Sequence, residues 1–233
     1  MKIALLGYGR MGQSIEVIAL ERGHSISLKV SDEHSDYNFA NADVAIDFSI
    51  PSVAVFNIKK GIDAQIPVIS GTTGWLDQYD EILAYCKSKN GTFLYASNFS
   101  LGVNIFFEVN KRLGELMSNV EGYATEIEEI HHTKKLDAPS GTAITLAEGI
   151  IENSHYKHWT LNQPKSDEIH IEAKRIKNVP GTHEINYDSE IDSISIKHTA
   201  HSRQGFAMGA VIAAEWIKDK KGVFSMKDVL NIG

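Results

Sequence analysis

Short apolar segments and helix-spaced apolar residues alternate along the first hundred positions. Five segments have the apolar pattern of strands: 2–6, 24–30, 42–49, 66–74 and 92–100. Between them, apolar residues recur at helical spacing, as at Met11, Ile15 and Ile18. Strands that alternate with helices favour a parallel sheet with helices on both faces. We therefore predict an α/β domain over residues 1–100.

The pattern changes after residue 104. It predicts an amphipathic helix over 105–117 and a strand over 123–132. Three further extended stretches, each bounded by turns, lie at 167–177, 181–190 and 191–202. Strands that follow one another without helices between them predict a second domain, over 101–206, built on an antiparallel or mixed sheet. The segment 206–217 is apolar almost all round and predicts a buried helix, so we expect a C-terminal helical segment, 207–233, to pack back on the first domain.

Composition narrows the classes of function. The chain has 233 residues, is 42% hydrophobic and carries a net charge of −7, which argues against a nucleic-acid partner. Its one cysteine, Cys86, excludes an intrachain disulfide and is expected to be a buried apolar side chain. The N-terminal apolar run is too short for a signal peptide, and no segment has the apolar length of a membrane span. These features predict a cytoplasmic, soluble protein.

A glycine-rich turn follows the first predicted strand. Gly7, Gly9 and Gly12 have the G-x-G-x-x-G spacing, in which glycines allow a tight turn, approach of a pyrophosphate and close helix packing. The helix that follows offers N–H groups and a positive dipole to phosphates. This placement predicts a dinucleotide site; the alternative is a purely structural turn.

An acid at the end of the second strand is expected to bind the ribose hydroxyls. The sequence VSDEH offers Asp32 or Glu33, of which we choose Asp32. An acid favours NAD, whereas Lys29 and Arg10 leave NADP open; a solvated turn is the alternative for both acids.

Two polar turns follow later strands of the same predicted sheet. The turn GTTG occupies 71–74 and ASNFS occupies 96–100. Ligands of open parallel sheets bind outside the carboxyl ends of the strands, so both turns are candidate pocket walls rather than ordinary loops.

The stretch HHTKKLDAPSGTA, at 131–143, gathers positive charge just before a predicted helix. Ser140 is a suitable N-cap, so Gly141 and Thr142 place free N–H groups at the helix start, an anion site. Lys135 and one of the histidines His131 and His132 lie on the preceding loop, and together these groups would bind a carboxylate. The alternative is a basic surface loop before a capped helix. No helical histidine pair has a third ligand in register, so we expect no metal; His183 is a further candidate for the cleft.

Five stretches occur along the chain in this order: GYGRMG, GTTG, ASNFSLGVN, EIHHTKKLDAPSGTA and SRQGFAMGA. Together they resemble the dihydrodipicolinate reductases of bacterial lysine and diaminopimelate synthesis. The resemblance covers essentially the whole chain, and the block HHxxKxDAPSGTA is its most specific part. It implies an N-terminal Rossmann dinucleotide-binding domain, an α+β substrate and oligomerisation domain with a mixed sheet, and a homotetramer built through that sheet.

The resemblance also implies roles for single residues. His131 matches the proton donor and Lys135 the second catalytic residue, while His132, Gly141 and Thr142 match substrate-binding positions. The implied contacts to NADH or NADPH are Gly7, Tyr8, Gly9, Arg10, Met11, Gly12, Gly71, Thr72, Thr73, Ala96, Ser97, Asn98 and Phe99. VSDEH departs from the family's usual acid, or acid beside a base, which leaves the ribose contact and the cofactor preference open.

The implied reaction fits the anion site. Its substrate is a cyclic imine with two carboxylates, which loses water, accepts a hydride at C4 and is protonated at the neighbouring carbon. Cations and a helix N-terminus suit a dianion, and a histidine suits the proton transfer. Two alternatives stay open: a two-domain dehydrogenase that acts on aspartate or a sugar, and a non-catalytic NADH-binding sensor.

Overall fold

The computed structural model describes residues 1–31, 36–39, 41–202 and 204–232. The chain divides into two compact units, one formed by Met1–Leu101 with Gln204–Gly233 and the other by Gly102–Arg203. Within the described residues, no helix has both the length and the apolar character needed to cross a membrane.

The helices and strands follow one another in this order. The first half contains β1 (Lys2–Leu6), α1 (Arg10–Glu21), β2 (Ser25–Val30), β3 (Val44–Asp47), α2 (Pro51–Asp63), β4 (Val68–Ser70), a 3₁₀ turn (Leu76–Gln78), α3 (Tyr79–Ser88) and β5 (Thr92–Tyr95). The second half contains α4 (Leu101–Met117), β6 (Ala124–His131), α5 (Gly141–Ile151), β7 (His158–Thr160), β8 (Glu168–Arg175), β9 (Gly181–Asp188), β10 (Ser193–Ala200), α6 (Gln204–Ile217), β11 (Gly222–Phe224) and α7 (Met226–Leu230).

The first unit is a six-stranded parallel sheet in the order β11-β5-β4-β3-β1-β2. One face packs against α1, α6 and α7, and the other against α2 and α3, each through its own buried apolar cluster. Cys86 is buried in the second cluster, as predicted. The strand order reverses between β1 and β3, and the clefts of such sheets open at this switch point. The predicted doubly wound α/β architecture is confirmed.

The C-terminal segment differs from the single helical segment expected over 207–233. Helix α6 ends at Ile217, and Gly222, with a φ of +125°, starts strand β11, which pairs with β5. The run Asp219-Lys220-Lys221 is too polar to continue a buried helix, which gives a physical reason for the break. Helix α6 is also held to the end of α1, where the Arg22 guanidinium binds the Glu215 carboxylate through two contacts of 2.7 and 2.8 Å.

The second unit is a five-stranded sheet in the order β10-β9-β6-β8-β7. Strands β10, β9 and β6 pair antiparallel, whereas β6, β8 and β7 pair parallel, so the predicted mixed sheet is confirmed. Helices α4 and α5 contribute Phe106, Leu146 and Ile150 to one apolar cluster with the inward residues of the sheet. The three-residue strand β7 was not predicted, because so short a segment has no readable alternation.

Candidate active site

The glycine turn after β1 has the geometry that only glycine permits. Gly7 has a φ of +93°, and a Cβ there would lie 2.2 Å from the Phe48 carbonyl oxygen. A Cβ on Gly12 would lie 2.3 Å from the Gly7 carbonyl oxygen, so helix α1 can pack this closely only with glycine at that position. The turn therefore brings the start of α1 tightly against the ends of β1 and β3.

A cavity of about 280 Å³ opens at the switch point between β1 and β3. Its walls are residues 7–9, the end of β2 at 30–31, Tyr37, residues 48–50, Val53 and Asn57. A Cβ built on Gly9 would meet no heavy atom within 4 Å, so a ligand can approach this backbone directly. With Arg10, Met11 and Gly12 in the first turn of α1, the cavity offers N–H groups and a positive dipole to phosphates. These features fit a dinucleotide.

Lys29, a basic residue that could bind a cofactor phosphate, is already paired. The Lys29 Nζ lies 2.6 Å from a Glu16 carboxylate oxygen and 4.7 Å from the centre of the Tyr8 ring, and the Tyr8 hydroxyl also donates to Glu16. These bonds hold the pKa of Glu16 below its usual value, Lys29 being the largest cause. Arg10 is exposed at the first position of α1. Asp32, the predicted ribose contact, lies outside the described residues.

The carboxylate of Asp47, at the end of β3, is fully buried. It accepts hydrogen bonds from the following side chains: Ser49 Oγ (2.6 Å), Asn57 Nδ2 (3.0 Å), Ser70 Oγ (2.9 Å) and Thr72 Oγ1 (2.8 Å). Burial raises the pKa of the Asp47 carboxyl, and these bonds act in the opposite direction. Two of the donors, Ser49 and Asn57, line the cavity, and Thr72 belongs to the GTTG turn. The Asp47 carboxylate therefore connects the cavity with this turn.

The remaining predicted cofactor residues follow β4 and β5, which are neighbours in the sheet. Gly71, Thr72 and Thr73 come after β4, and Ala96, Ser97, Asn98 and Phe99 come after β5. The Thr72 side chain is buried and bound to Asp47, and the Thr72 carbonyl oxygen accepts a hydrogen bond from the Trp75 indole N–H at 2.7 Å, so neither group is open to a ligand. The Phe99 ring is 2% exposed and belongs to the apolar core, where it packs on Phe48.

In the second unit, two histidines meet on neighbouring strands. His131 ends β6 and His183 lies on β9; both are buried, and their ring centres are 5.0 Å apart at an angle of 70°. A Cβ on Gly181 would lie 3.3 Å from the His131 Nε2, so the glycine leaves room beside that atom. His132 is half-buried and follows the strand, and its carbonyl oxygen accepts a hydrogen bond from the Lys135 N–H at 3.0 Å.

Glu129 lies at the centre of this cluster and has no exposed surface. One carboxylate oxygen, Oε1, is 3.1 Å from an Arg175 Nη2. The other, Oε2, accepts a hydrogen bond from the Ser140 backbone N–H at 3.0 Å and lies 3.5 Å from His131 Nδ1 and 3.8 Å from His183 Nε2. Glu129 thus contacts both histidines and the start of α5.

Burial and neighbouring charges lower the pKa of both histidines. For His131, burial is the largest cause of the lowered pKa, Glu129 acts in the opposite direction, and Lys135 and Arg175 lower it further. For His183, burial, then His131, His198 and Lys135, lower the pKa to about 3. His183 is therefore a neutral imidazole at ordinary pH, whereas His131 is the histidine on which an attractive carboxylate acts.

Helix α5 begins as the sequence predicts. Ser140 is its N-cap, with the Ser140 Oγ accepting from the Ala143 N–H at 3.2 Å and lying 3.2 Å from His183 Nε2. Gly141 and Thr142 occupy the first turn, whose N–H groups have no carbonyl partner within the helix. Lys135 is on the preceding loop, with its Nζ 2.8 Å from an Asp137 carboxylate oxygen. Cations and open N–H groups therefore adjoin the buried histidines.

Ligand atoms of Glu129, His131 and His183 lie within 4.8 Å of one another, a spacing that could hold a metal ion. The Glu129 oxygens are however already bound, one by Arg175 and the other by the Ser140 N–H. Both Lys135 and Arg175 act as positive charges on His131. These cations would repel a dication, so the cluster fits an ion-pair network better than a metal site.

Comparison with known proteins covers nearly the whole chain. The family model described as "Dihydrodipicolinate reductase, N-terminus" matches residues 1–99, and "Dihydrodipicolinate reductase, C-terminus" matches 102–230. The chain belongs to the dihydrodipicolinate reductase family. It is accordingly an NAD(P)H-dependent oxidoreductase, which confirms the enzyme class and cofactor class predicted from the sequence.

Two relatives and one solved structure illustrate the match. A 4-hydroxy-tetrahydrodipicolinate reductase of Christiangramia forsetii is 58% identical over 99% of this chain and 98% of its own length. One of Methanosarcina acetivorans is 34% identical over 99% of this chain and 89% of its own. The fold is shared with the dipicolinate-bound dihydrodipicolinate reductase of Paenisporosarcina sp. TG-14, with a TM-score of 0.77, 19% identity and 97% of each chain covered.

Proposed function

We propose that this protein is a 4-hydroxy-tetrahydrodipicolinate reductase. It would use NADH or NADPH to reduce 4-hydroxy-tetrahydrodipicolinate, by way of dihydrodipicolinate, to tetrahydrodipicolinate in the diaminopimelate route to lysine. The observation that carries the proposal is the cluster of His131, Glu129 and the capped start of α5, in a chain that is 58% identical to a relative of that activity.

The first unit would bind the dinucleotide. Its phosphates would lie against Gly7–Gly12 at the start of α1, as the open backbone at Gly9 supports. Backbone groups of Gly71–Thr73 and Ala96–Phe99, at the ends of β4 and β5, would contact the nicotinamide half. The chemistry that the cofactor supplies when bound is a hydride for C4 of the substrate ring.

The second unit would bind the dicarboxylate. The N–H groups of Gly141 and Thr142 would hold one carboxylate at the start of α5, supported by the helix dipole. Lys135 and His132 would hold the remaining negative charge. To reach the substrate, Lys135 must exchange its Asp137 partner, 2.8 Å away, for a substrate carboxylate.

His131 would protonate the reduced ring at the carbon next to C4. Its imidazole is buried, which lowers its pKa and makes the protonated form a readier acid, while the Glu129 carboxylate keeps that form accessible. Lys135 would be the second catalytic residue, since its ammonium adds positive charge beside the substrate ring.

We further propose a cytoplasmic homotetramer assembled through the sheet of the second unit. Helices α4 and α5 pack on one face of that sheet, which supports the other face as the contact. Light scattering on the purified protein tests the number of subunits.

The direct experiment supplies the product that the preceding synthase makes fresh from pyruvate and aspartate semialdehyde, and follows oxidation of NADH and NADPH in parallel. Oxidation of either is expected. His131→Gln and Lys135→Met should each lower kcat by about 10²–10⁴-fold. His155→Gln, at an exposed position after α5, is the matched control and should keep the wild-type rate.

Both alternatives make different predictions in the same experiment. A dehydrogenase for aspartate or a sugar would oxidise or reduce those compounds and leave the synthase product unchanged. A sensor would bind NADH without turnover of any of them. Wild-type turnover in folded His131→Gln and Lys135→Met variants would contradict the assigned roles.

A further inference from the structure

Glu129 is a carboxylate that neither gives nor accepts a proton in the proposed reaction. It is fully buried on β6, two residues before His131, on the same face of the strand. A buried charge is costly unless it is paired and hydrogen-bonded, and Glu129 has both kinds of partner, in Arg175 and the Ser140 N–H. A carboxylate kept at this cost beside a candidate proton donor calls for a role.

Its contacts join two parts of the candidate active site. The same oxygen, Oε2, bonds the Ser140 N–H at 3.0 Å and lies 3.5 Å from the Nδ1 of His131. Ser140 is the N-cap of α5, the helix whose first turn forms the anion site. The position of this one atom therefore relates the histidine to the anion site.

We infer that Glu129 is a positioning residue for the reaction: its carboxylate orients the His131 imidazole and fixes it against the anion-binding start of α5. This inference rests on the proposed function, in which His131 gives the proton. Because the carboxylate faces Nδ1, it stabilises the imidazolium from that side, and Nε2, which borders Gly181, is the atom that gives up the proton.

Charged and titratable groups face His131 from every neighbouring element. Arg175 comes from β8, His183 from β9, and Lys135 and Asp137 from the loop before α5, while His198 of β10 acts on His183. Glu129 and Asp137 favour the imidazolium, whereas Arg175 and Lys135 oppose it. Removing Glu129 or Arg175 should therefore displace the titration of His131 in opposite directions.

The first test compares the pH dependence of kcat/KM in Glu129→Gln and Arg175→Gln with that of the wild type. Activity needs protonated His131, so it falls as pH rises through that histidine's pKa. Glu129→Gln should move this fall to lower pH by about one unit, and Arg175→Gln should move it to higher pH. Above the wild-type pKa, the Glu129→Gln variant then loses about tenfold in kcat/KM, and it recovers at lower pH.

The KM for the substrate distinguishes the contact of Glu129 with the start of α5 from its effect on His131. Glu129→Gln keeps an oxygen that can accept from the Ser140 N–H, so its KM should stay near the wild-type value. Glu129→Ala loses that acceptor as well, so its substrate KM should rise along with the loss of kcat. Equal, pH-independent losses in all three variants would overturn the inference, because they would indicate structural damage alone.

The second test needs no turnover. NMR titration of the histidine ring signals of the resting protein, with His131 identified by the signal lost in His131→Gln, measures the His131 pKa directly. It should be lower in Glu129→Gln and higher in Arg175→Gln than in the wild type. An unchanged His131 pKa in both variants overturns the role of Glu129. Failure of the wild type to reduce the synthase product would instead overturn the proposed function. The NMR titration does not depend on that outcome, because it needs no turnover.

Discussion

The hydroxyl of Thr72 donates a 2.8 Å hydrogen bond to the buried carboxylate of Asp47, so the GTTG turn is fixed to the end of the neighbouring strand. The Ser49 N–H donates to the same Thr72 hydroxyl at 2.9 Å, and the Ser49 side chain also binds Asp47. Two turns that are distant in sequence therefore share one anchor at the candidate dinucleotide site.

Asp47→Ala should destabilise the protein and weaken dinucleotide binding. Four buried or half-buried donors lose their acceptor, which costs at least about 2 kcal/mol in the free energy of unfolding. Because Ser49 and Asn57 line the cavity, the KM for the dinucleotide should rise by a larger factor than kcat falls. Urea denaturation and steady-state kinetics measure the two effects.

Asp63→Ala is the control for that prediction. Asp63 is exposed, pairs with Lys89 at 3.1 Å and accepts a hydrogen bond from the Tyr85 hydroxyl at 2.7 Å, so its loss should lower stability much less than the loss of Asp47. Equal losses of stability in the two variants, or a lower kcat with an unchanged dinucleotide KM in Asp47→Ala, would count against an anchoring role for Asp47.

The pair of Glu16 and Lys29 bears on the choice between NADH and NADPH. Lys29 is 2.6 Å from Glu16 and lies over the ring of Tyr8, which lines the dinucleotide cavity. Glu16→Gln removes the paired charge and leaves Lys29 to attract the extra phosphate of NADPH. The ratio of kcat/KM for NADPH to that for NADH should rise about two- to fivefold, the range of an exposed ion pair.

Two further variants control for that change. Lys29→Met in the Glu16→Gln background should return the ratio to its wild-type value, and Lys59→Met, on α2 and paired with Glu81, should leave it unchanged. A ratio that stays constant through the whole series would assign no phosphate contact to Lys29.

Local patterns predicted most of the fold because they depend on neighbours in sequence. The glycine turn, the start of α5 at Ser140 and the long strands follow from spacing and capping alone. Strand β11 was missed because three residues carry no periodicity and are paired by a strand far earlier in the chain, Gly222 with Thr92. Helix α6 was correctly predicted to be buried and to reach residue 217, whereas the expectation of helix over the rest of 207–233 missed the break before β11.

The candidate site was only partly predictable for a related reason. His131, Lys135, Gly141 and Thr142 belong to one continuous motif, whereas Arg175 reaches Glu129 only through the pairing of β6 with β8. Glu129 itself had a signal: strand alternation places it on the same face as His131 and the buried Ile127. Asp47 had a weaker one, as an acid that ends an apolar strand.

Ser140→Ala should destabilise the start of α5. The Ser140 hydroxyl accepts the Ala143 N–H at 3.2 Å, and the loss of an N-cap costs about 1 kcal/mol in the free energy of unfolding. The KM for the substrate should rise as well, because the first turn carries the proposed carboxylate site. Chemical denaturation and the reductase assay measure both effects.

Ser118→Ala provides the matched control for the cap. The Ser118 hydroxyl donates to the Glu115 carbonyl oxygen at 2.8 Å in an exposed position after α4, so its loss should leave both stability and KM near their wild-type values. A substrate KM that does not respond to Ser140→Ala would argue against binding at the start of α5.

His183 should make the protein sensitive to acid. Its pKa is lowered from 6.5 to about 3 in the folded state, chiefly by burial, so between these values the unfolded chain binds a proton that the native state does not. Stability therefore rises with pH in this window and falls as pH drops below 6.5, by about 1.4 kcal/mol per pH unit for one proton. The lowered pKa values of His131 and His198 act with the same sign.

His183→Gln should remove about one proton from that dependence. Urea denaturation at a series of pH values between about 7.5 and 5 measures the slope of the unfolding free energy, which should be smaller in the variant by close to one proton. His158→Gln, at an exposed position on β7, controls for the loss of a histidine as such and should keep the wild-type slope. An unchanged slope in His183→Gln would mean that His183 titrates alike in the folded and unfolded chains, and the acid loss would then be assigned to His131 and His198.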